Sequence, residues 1–109
     1  MNHIHKELAA GKWFHLSFFD QMANIGSEIG RAINWKEKDK KISQMAFERG
    51  LELLDLTILD SKNRKRLKEL CRLREVLADY FCFDNIYKST SDNLNNYFYS
   101  FNYAANLNR

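Results

Sequence analysis

The fold of this chain is decided by residues 42–81, ISQMAFERGLELLDLTILDSKNRKRLKELCRLREVLADYF. Apolar residues recur there every three or four positions on both sides of residue 60, which is the spacing of an amphipathic helix. Asp60 and Ser61 supply side chains that favour a turn and a helix N-cap. The stretch therefore predicts two helices, residues 41–59 and 62–83, folded back on each other as a hairpin around which the chain is organised.

A first helix is predicted upstream of this hairpin. Ser17 followed three residues later by Asp20 forms a capping box, and apolar residues at 3.6-residue spacing carry the helix to about residue 35. Gly26 and Gly30 lie inside this pattern, and each costs about 1 kcal/mol relative to alanine. We therefore expect a neighbouring helix to approach closely at these glycines.

A fourth helix, residues 91–107, follows a polar segment in which Ser89 and Asp92 suggest another capping box. The chain contains no proline, so long helices are uninterrupted, and its 109 residues suit one hydrophobic core. The prediction is an all-α single domain, residues 1–109, built as an antiparallel four-helix bundle with a short N-terminal extension.

The expected location is the cytoplasm. No basic start followed by an apolar run resembles a signal peptide, and no uncharged stretch is long enough to span a bilayer. Cys71 and Cys82 lie on one predicted helix, about 16 Å apart at 1.5 Å per residue, too far for a disulfide within that helix. We expect both thiols to be reduced and buried as small apolar groups.

Basic residues dominate residues 62–74, with seven lysines and arginines against one acid, a net charge of +6. The preceding residues 48–60 carry four acids against one arginine, a net charge of −3. One interpretation is that the two helices are solvated neighbours that compensate each other's charge. The other is that the basic helix binds the phosphates of RNA or DNA. The candidate nucleic-acid-binding residues are Lys62, Arg64, Lys65, Lys68 and Arg72.

Two arginines, Arg49 and Arg74, fall on apolar faces when the helices are drawn at 100° per residue. Burying an unpaired guanidinium costs several kcal/mol, so these side chains are expected to meet carboxylates such as Glu28 or carbonyls, or to reach out of the core along their apolar stems. Such buried polar residues would form an ion-pair network that sets helix register. The alternative is a polar pocket that receives an anionic group such as a phosphate.

The outer face of the fourth helix carries Tyr99, Tyr103 and Leu107 among asparagines, with no charged residue between Asp92 and Arg109. A solvated helix face usually carries charges, whereas tyrosine and asparagine are typical of interfaces. We therefore interpret these three residues as an interface for self-association or for a protein partner. Stacking of the tyrosines on exposed bases is the alternative.

No catalytic motif is present. Helical ribonucleases of the HEPN class carry an arginine followed within two turns by a histidine, but His3, His5 and His15 all precede the first arginine, Arg31. A cysteine nucleophile would need His15 as its base, and no metal-ligand spacing is found. The expectation is a protein that is not an enzyme, with no catalytic residue, metal or cofactor.

Four segments, SFFDQMANIGSEIGRAINWKEK, AFERGLELLDLTILD, RLKELCRLREVLADYF and YFYSFNYAA, resemble those of a family of short uncharacterised bacterial helical proteins. The likeness covers about residues 12–105 and implies a self-contained domain without adding a site residue. The architecture is similar to small four-helix-bundle accessory proteins of toxin–antitoxin pairs and diversity-generating retroelements. The leading hypothesis is an accessory or regulatory protein that forms homo-oligomers and binds a larger protein, and the alternative is a nucleic-acid-binding accessory protein.

Overall fold

A computed structural model describes residues 11–107, in which no strand occurs; residues 11–13 are helical, and residues 17–107 hold four α-helices and one 3-10 helix. In chain order these are α1 (Phe18–Trp35), α2 (Lys40–Leu59), the 3-10 helix (Ser61–Arg66), α3 (Leu67–Cys82) and α4 (Ser91–Leu107). The all-α fold is therefore confirmed for this part of the chain. The predicted N-terminal extension, with His3 and His5, lies largely outside it. No helix among residues 11–107 combines the length and the apolar character that crossing a bilayer requires.

Local side-chain caps set the first two helices where the sequence predicts them. The Ser17 hydroxyl accepts a hydrogen bond from the Asp20 backbone N–H at 3.1 Å, which begins α1 as expected. Asp39 begins α2, because its carboxylate accepts from the backbone N–H groups of Lys41 and Ile42 at 3.0 and 3.2 Å. These caps satisfy donors that have no partner within the helix.

The predicted third helix, residues 62–83, is split into the 3-10 helix and α3, so five helical segments replace the four expected. A 3-10 helix has three residues per turn, which places Asp60, Asn63 and Arg66 along one side. Asn63 is buried and donates to Gln21 of α1 at 2.8 Å. The tighter winding thus turns a polar row toward α1.

The central element is α1 rather than the hairpin of residues 42–81. It packs extensively against both α2 and α4, whereas α2 and α3 share a much smaller contact. Met22, Ile25 and Ile29 of α1 are fully buried. The core is completed by apolar residues of the other helices, chiefly Phe47, Leu54, Leu70, Leu73, Leu77, Leu94 and Phe98.

The close helix approach predicted at both glycines of α1 is found at Gly26 and not at Gly30. A Cβ added to Gly26 would lie 2.7 Å from the Cβ of Phe98, which is closer than two carbon atoms approach. At Gly30 the nearest atom, Oδ1 of Asn95, would be 3.9 Å away. Gly26 is therefore the point at which the two helices approach closely.

The loop between α3 and α4 is held by side chains rather than by the predicted capping box. The buried carboxylate of Asp79 accepts from the backbone N–H groups of Ile86 and Tyr87 at 2.9 and 3.0 Å. The α4 cap is Thr90, whose hydroxyl accepts from the Asn93 N–H at 3.0 Å, and not Ser89. The cap is thus displaced by one residue, and the backbone N–H and carbonyl of Ser89 are both bonded to the Asn85 side chain within the loop.

Both cysteines are exposed and free, which corrects the prediction that Cys71 and Cys82 are buried. They lie on the side of α3 away from its buried leucines, Leu70, Leu73 and Leu77. Helical periodicity brings Cys71 near the predicted apolar face, but no other element within residues 11–107 covers that part of α3.

Candidate functional site

An open groove runs along the 3-10 helix and the first turns of α3. Its lining residues are Lys62, Lys65, Arg66, Lys68, Glu69 and Arg72. Four of the five residues predicted to bind nucleic acid therefore lie together, while Arg64 is exposed outside this lining. Arg66, which was not among the predicted residues, also lines the groove. We call this set the basic groove.

The cations of the basic groove differ in whether they already contact other groups of the protein. The Lys62 ammonium is bonded to the Asp60 carboxylate and donates to the Phe14 carbonyl at 3.0 Å, so it serves the fold. Arg66 stacks on a ring of α1, with its guanidinium carbon 4.2 Å from the centre of Phe18. Lys65 and Lys68 are exposed, and neither has an ion-pair partner in the described part of the chain. They are the cations best able to meet an anion.

The acid of the groove, Glu69, is held at its edge. Its carboxylate accepts a hydrogen bond from the Tyr97 hydroxyl of α4 at 2.9 Å and lies 3.8 Å from the Arg66 guanidinium. Burial of the Tyr97 ring and the hydrogen bond to Glu69 together raise the pKa of the phenol well above its usual range. The phenol therefore stays a neutral hydrogen-bond donor to the Glu69 carboxylate.

An apolar cleft of about 290 Å³ adjoins the basic groove between α3 and α4. Its lining residues are Glu69, Arg72, Leu73, Val76, Ser89, Asn93, Leu94 and Tyr97. Glu69 and Arg72 line both the groove and the cleft. The Arg72 guanidinium carbon lies 4.6 Å from the ring centre of Tyr87 in the α3–α4 loop, which positions this arginine at the junction.

The outer face of α4 is exposed, as the sequence suggested. Tyr99, Tyr103 and Leu107 are 66%, 58% and 66% accessible, and they follow one another at four-residue intervals along the helix. Within α4 the only charged residue is Asp92, at its start. We call Tyr99, Tyr103 and Leu107 the tyrosine face.

The prediction that Arg49 and Arg74 point into the core is wrong. The Arg49 side chain is 71% exposed and lies 4.0 Å from Glu28, whose own side chain is largely covered. Arg74 donates to the Asp55 carboxylate at 2.7 Å, and both side chains are about half exposed. The helices are periodic as expected, but α2 and α3 meet too sparingly to cover these positions. Arg49 lines a pocket that it shares with three acidic side chains and that Arg74 does not line, so the structure does not support the predicted anion pocket.

A buried polar cluster that the sequence analysis missed links three distant parts of the chain. The fully buried Gln21 amide donates to the Trp13 carbonyl at 3.0 Å and to Asp60 at 2.8 Å. The Trp13 indole N–H donates to the buried Thr57 hydroxyl at 2.9 Å. The sequence does contain an indication of this cluster, because Gln21 and Thr57 are polar residues within apolar helix faces. No buried side-chain nitrogen or oxygen among residues 11–107 lacks a partner, so the cluster is a structural joint.

The charge of Asp60 belongs to this cluster. Burial raises the pKa of this carboxyl, but hydrogen bonds from Lys62 and Gln21 lower it by more, so that it lies below its usual value. Asp60 is therefore an anion that its neighbours stabilise, and it neutralises Lys62. This pairing reduces the number of cations that the basic groove offers to a ligand.

Within residues 11–107, no group of three or more His, Cys, Asp and Glu side chains lies close enough together to hold a metal ion. His15 is exposed, and no described contact joins it to either cysteine. Comparison with known proteins identified no matching family, no matching curated protein and no matching solved structure.

Proposed function

We propose that this chain is a non-enzymatic accessory protein of the bacterial cytoplasm that self-associates and binds a larger protein partner. Its scaffold in this proposal is an antiparallel four-helix bundle in which the 3-10 helix replaces the first turns of the third helix. The observation that carries the proposal is the tyrosine face on α4, three large side chains that are each more than half exposed.

The residue types of the tyrosine face are typical of a protein–protein interface rather than of a solvent-exposed surface. Tyrosine buries a large ring while its hydroxyl keeps a hydrogen-bond partner, and such residues are enriched at protein interfaces. The asparagines beside them, Asn95, Asn102 and Asn106, are exposed and offer both donors and acceptors. An uncharged face that can donate and accept is compatible with itself.

Self-association follows from that compatibility. In a two-fold dimer the same patch lies on both sides of the interface, so a charged patch would place like charges together. The tyrosine face carries no such charge, and a dimer formed through it leaves the basic groove exposed. The two copies would pack α4 against α4.

The test introduces one charge into this face. Tyr103→Asp should shift the chain toward monomer in sedimentation velocity at micromolar concentration, because each dimer would bury two carboxylates. Met45→Asp is the matched control, since Met45 is 62% exposed on α2 and lies outside the tyrosine face. A wild-type chain that is monomeric throughout, or a loss of association by both variants alike, would refute the proposal.

A second candidate function, binding of nucleic acid, is favoured by the basic groove. Its cations line one groove along the 3-10 helix and the first turns of α3. Phosphate contacts from Lys65, Arg66, Lys68 and Arg72 would release counterions from the nucleic acid. With about four contacts, the logarithm of the association constant should fall with the logarithm of salt concentration with a slope of roughly −3 for single strands.

Charge reversal at Lys65 and Lys68 tests this candidate against a matched pair at the other end of the molecule. Arg66 packs on Phe18, which lies at the start of α1. Lys40 and Lys41 begin α2, just after the other end of α1, and the two ends of the 18-residue α1 are about 27 Å apart at 1.5 Å per residue. Lys65→Glu with Lys68→Glu should abolish salt-sensitive binding, and Lys40→Glu with Lys41→Glu should preserve most of it. Equal losses in the two double variants would show that only net charge matters and would refute the groove.

A further inference from the structure

We infer that the apolar cleft beside the basic groove is a nucleobase site, so that the chain binds single-stranded in preference to double-stranded nucleic acid. This inference rests on the second candidate function, binding of nucleic acid in the basic groove. It assigns a role to residues of α3, the α3–α4 loop and α4 that lie outside the basic groove.

The first argument is the continuity of the two surfaces. A nucleotide joins an anionic phosphate to an apolar, planar base, and a protein that binds it needs a cationic surface next to an apolar one. The basic groove and the cleft share Glu69 and Arg72 in their linings, so the two lie side by side with these two side chains at their common edge. A strand whose phosphates follow Lys65 and Lys68 would bring a base to the cleft.

The second argument is the chemistry of the cleft. Leu73, Val76 and Leu94 supply apolar walls, and the Tyr97 ring supplies an aromatic one. Asn93 and Ser89 lie at the same cleft and carry an amide and a hydroxyl, groups that hydrogen-bond to base edges. A base paired inside a duplex cannot present both its faces and its edge to such a cleft, which is why single strands are preferred.

The third argument is that the cleft is already formed. The Tyr97 hydroxyl is fixed to Glu69 at 2.9 Å, and Arg72 is stacked on Tyr87, so both walls at the junction are held. The loop that carries Tyr87 is in turn fastened to the buried Asp79. A preformed site avoids the entropic cost of ordering these side chains when the strand binds.

The test measures fluorescence anisotropy with four labelled probes of equal length. They are a DNA strand, an RNA strand, the corresponding DNA duplex, and a DNA strand in which every base is replaced by an abasic site. Because the abasic strand keeps the phosphates, its affinity reports the groove alone. Both intact strands should bind at least about fivefold more tightly than the abasic strand, which is the smallest effect expected of one stacked base.

Two variants of the cleft sharpen the result. Val76→Asp places a carboxylate on an apolar wall of the cleft. Asn93→Asp places a carboxylate at the polar side of the cleft, at an exposed position of α4 outside the core. Either carboxylate repels the phosphates of intact and abasic strands alike, so the readout is the ratio of the two affinities. That ratio should fall toward one in both variants.

The outcomes separate the two proposals. If no probe binds in a salt-sensitive manner, nucleic-acid binding itself fails, and the base site fails with it. If all four probes bind equally, or the duplex binds most tightly, the basic groove stands and the base site is overturned. An affinity ratio that Val76→Asp and Asn93→Asp both leave unchanged also overturns it.

Discussion

Gly26→Ala and Gly30→Ala are one substitution at two positions of the same helix, and we expect them to change stability in opposite directions. The added Cβ at Gly26 would lie 2.7 Å from the Cβ and 3.0 Å from the Cγ of Phe98. Carbon atoms pack at about 3.5–4.0 Å, so α1 and α4 must separate by about 1 Å. The Phe98 Cβ is attached to the backbone, and no rotamer change can move it aside. At Gly30 the nearest atom is 3.9 Å away, and nothing has to move.

The expected free energies follow from two opposing contributions. Alanine stabilises a helix interior by about 1 kcal/mol relative to glycine. Overpacking a core costs about 1–3 kcal/mol, and the upper part of that range applies at Gly26 because a backbone must shift. Gly26→Ala should therefore lower the free energy of unfolding by about 1–2 kcal/mol, whereas Gly30→Ala should raise it by about 1 kcal/mol.

Thermal unfolding followed by far-ultraviolet circular dichroism distinguishes these values. A change of 1 kcal/mol shifts the Tm of a domain of this size by about 4–8 °C, so the two variants should melt at least about 8 °C apart. Measurement at several protein concentrations separates an effect on folding from an effect on association. A Gly26→Ala variant that melts as high as Gly30→Ala would refute the close approach of the helices.

Three further predictions concern single side chains. Because the pKa of Asp60 is lower in the folded than in the unfolded chain, its stabilising contribution is present above about pH 4 and is lost as the pH falls through the folded pKa. Urea unfolding at a series of acidic pH values should show this loss, and Asp60→Asn should flatten the decline. Arg49→Gln should change the free energy of unfolding by less than about 0.5 kcal/mol, since its side chain is 71% exposed, and a loss of about 3 kcal/mol would restore the core-facing interpretation. A thiol reagent should label both Cys71 and Cys82 without unfolding the chain, and protection of either cysteine in a mass spectrum would contradict their exposure.

The candidate site could be predicted in part. The cations of residues 62–72 were visible as a charge run, and the tyrosine face as a helix side without charges. The role of Lys62 could not be seen, because it depends on Asp60 and on the Phe14 carbonyl, which lies 48 residues away in the chain. The apolar cleft was equally hidden, since its walls come from α3 and α4 and exist only where the two helices meet.

Local patterns by themselves determined that the chain is helical and where α1, α2 and α4 run, because periodicity and caps such as Ser17 depend on residues within about one turn. Tertiary structure alone decided that α1 is central, that Arg49 is exposed and that the predicted third helix begins as a 3-10 helix. A helix drawn on a wheel has an apolar arc, but only the neighbouring helices decide how much of that arc is covered. The hydrogen bond between Gln21 and Asp60 joins residues 39 positions apart, and no local pattern contains such a partner.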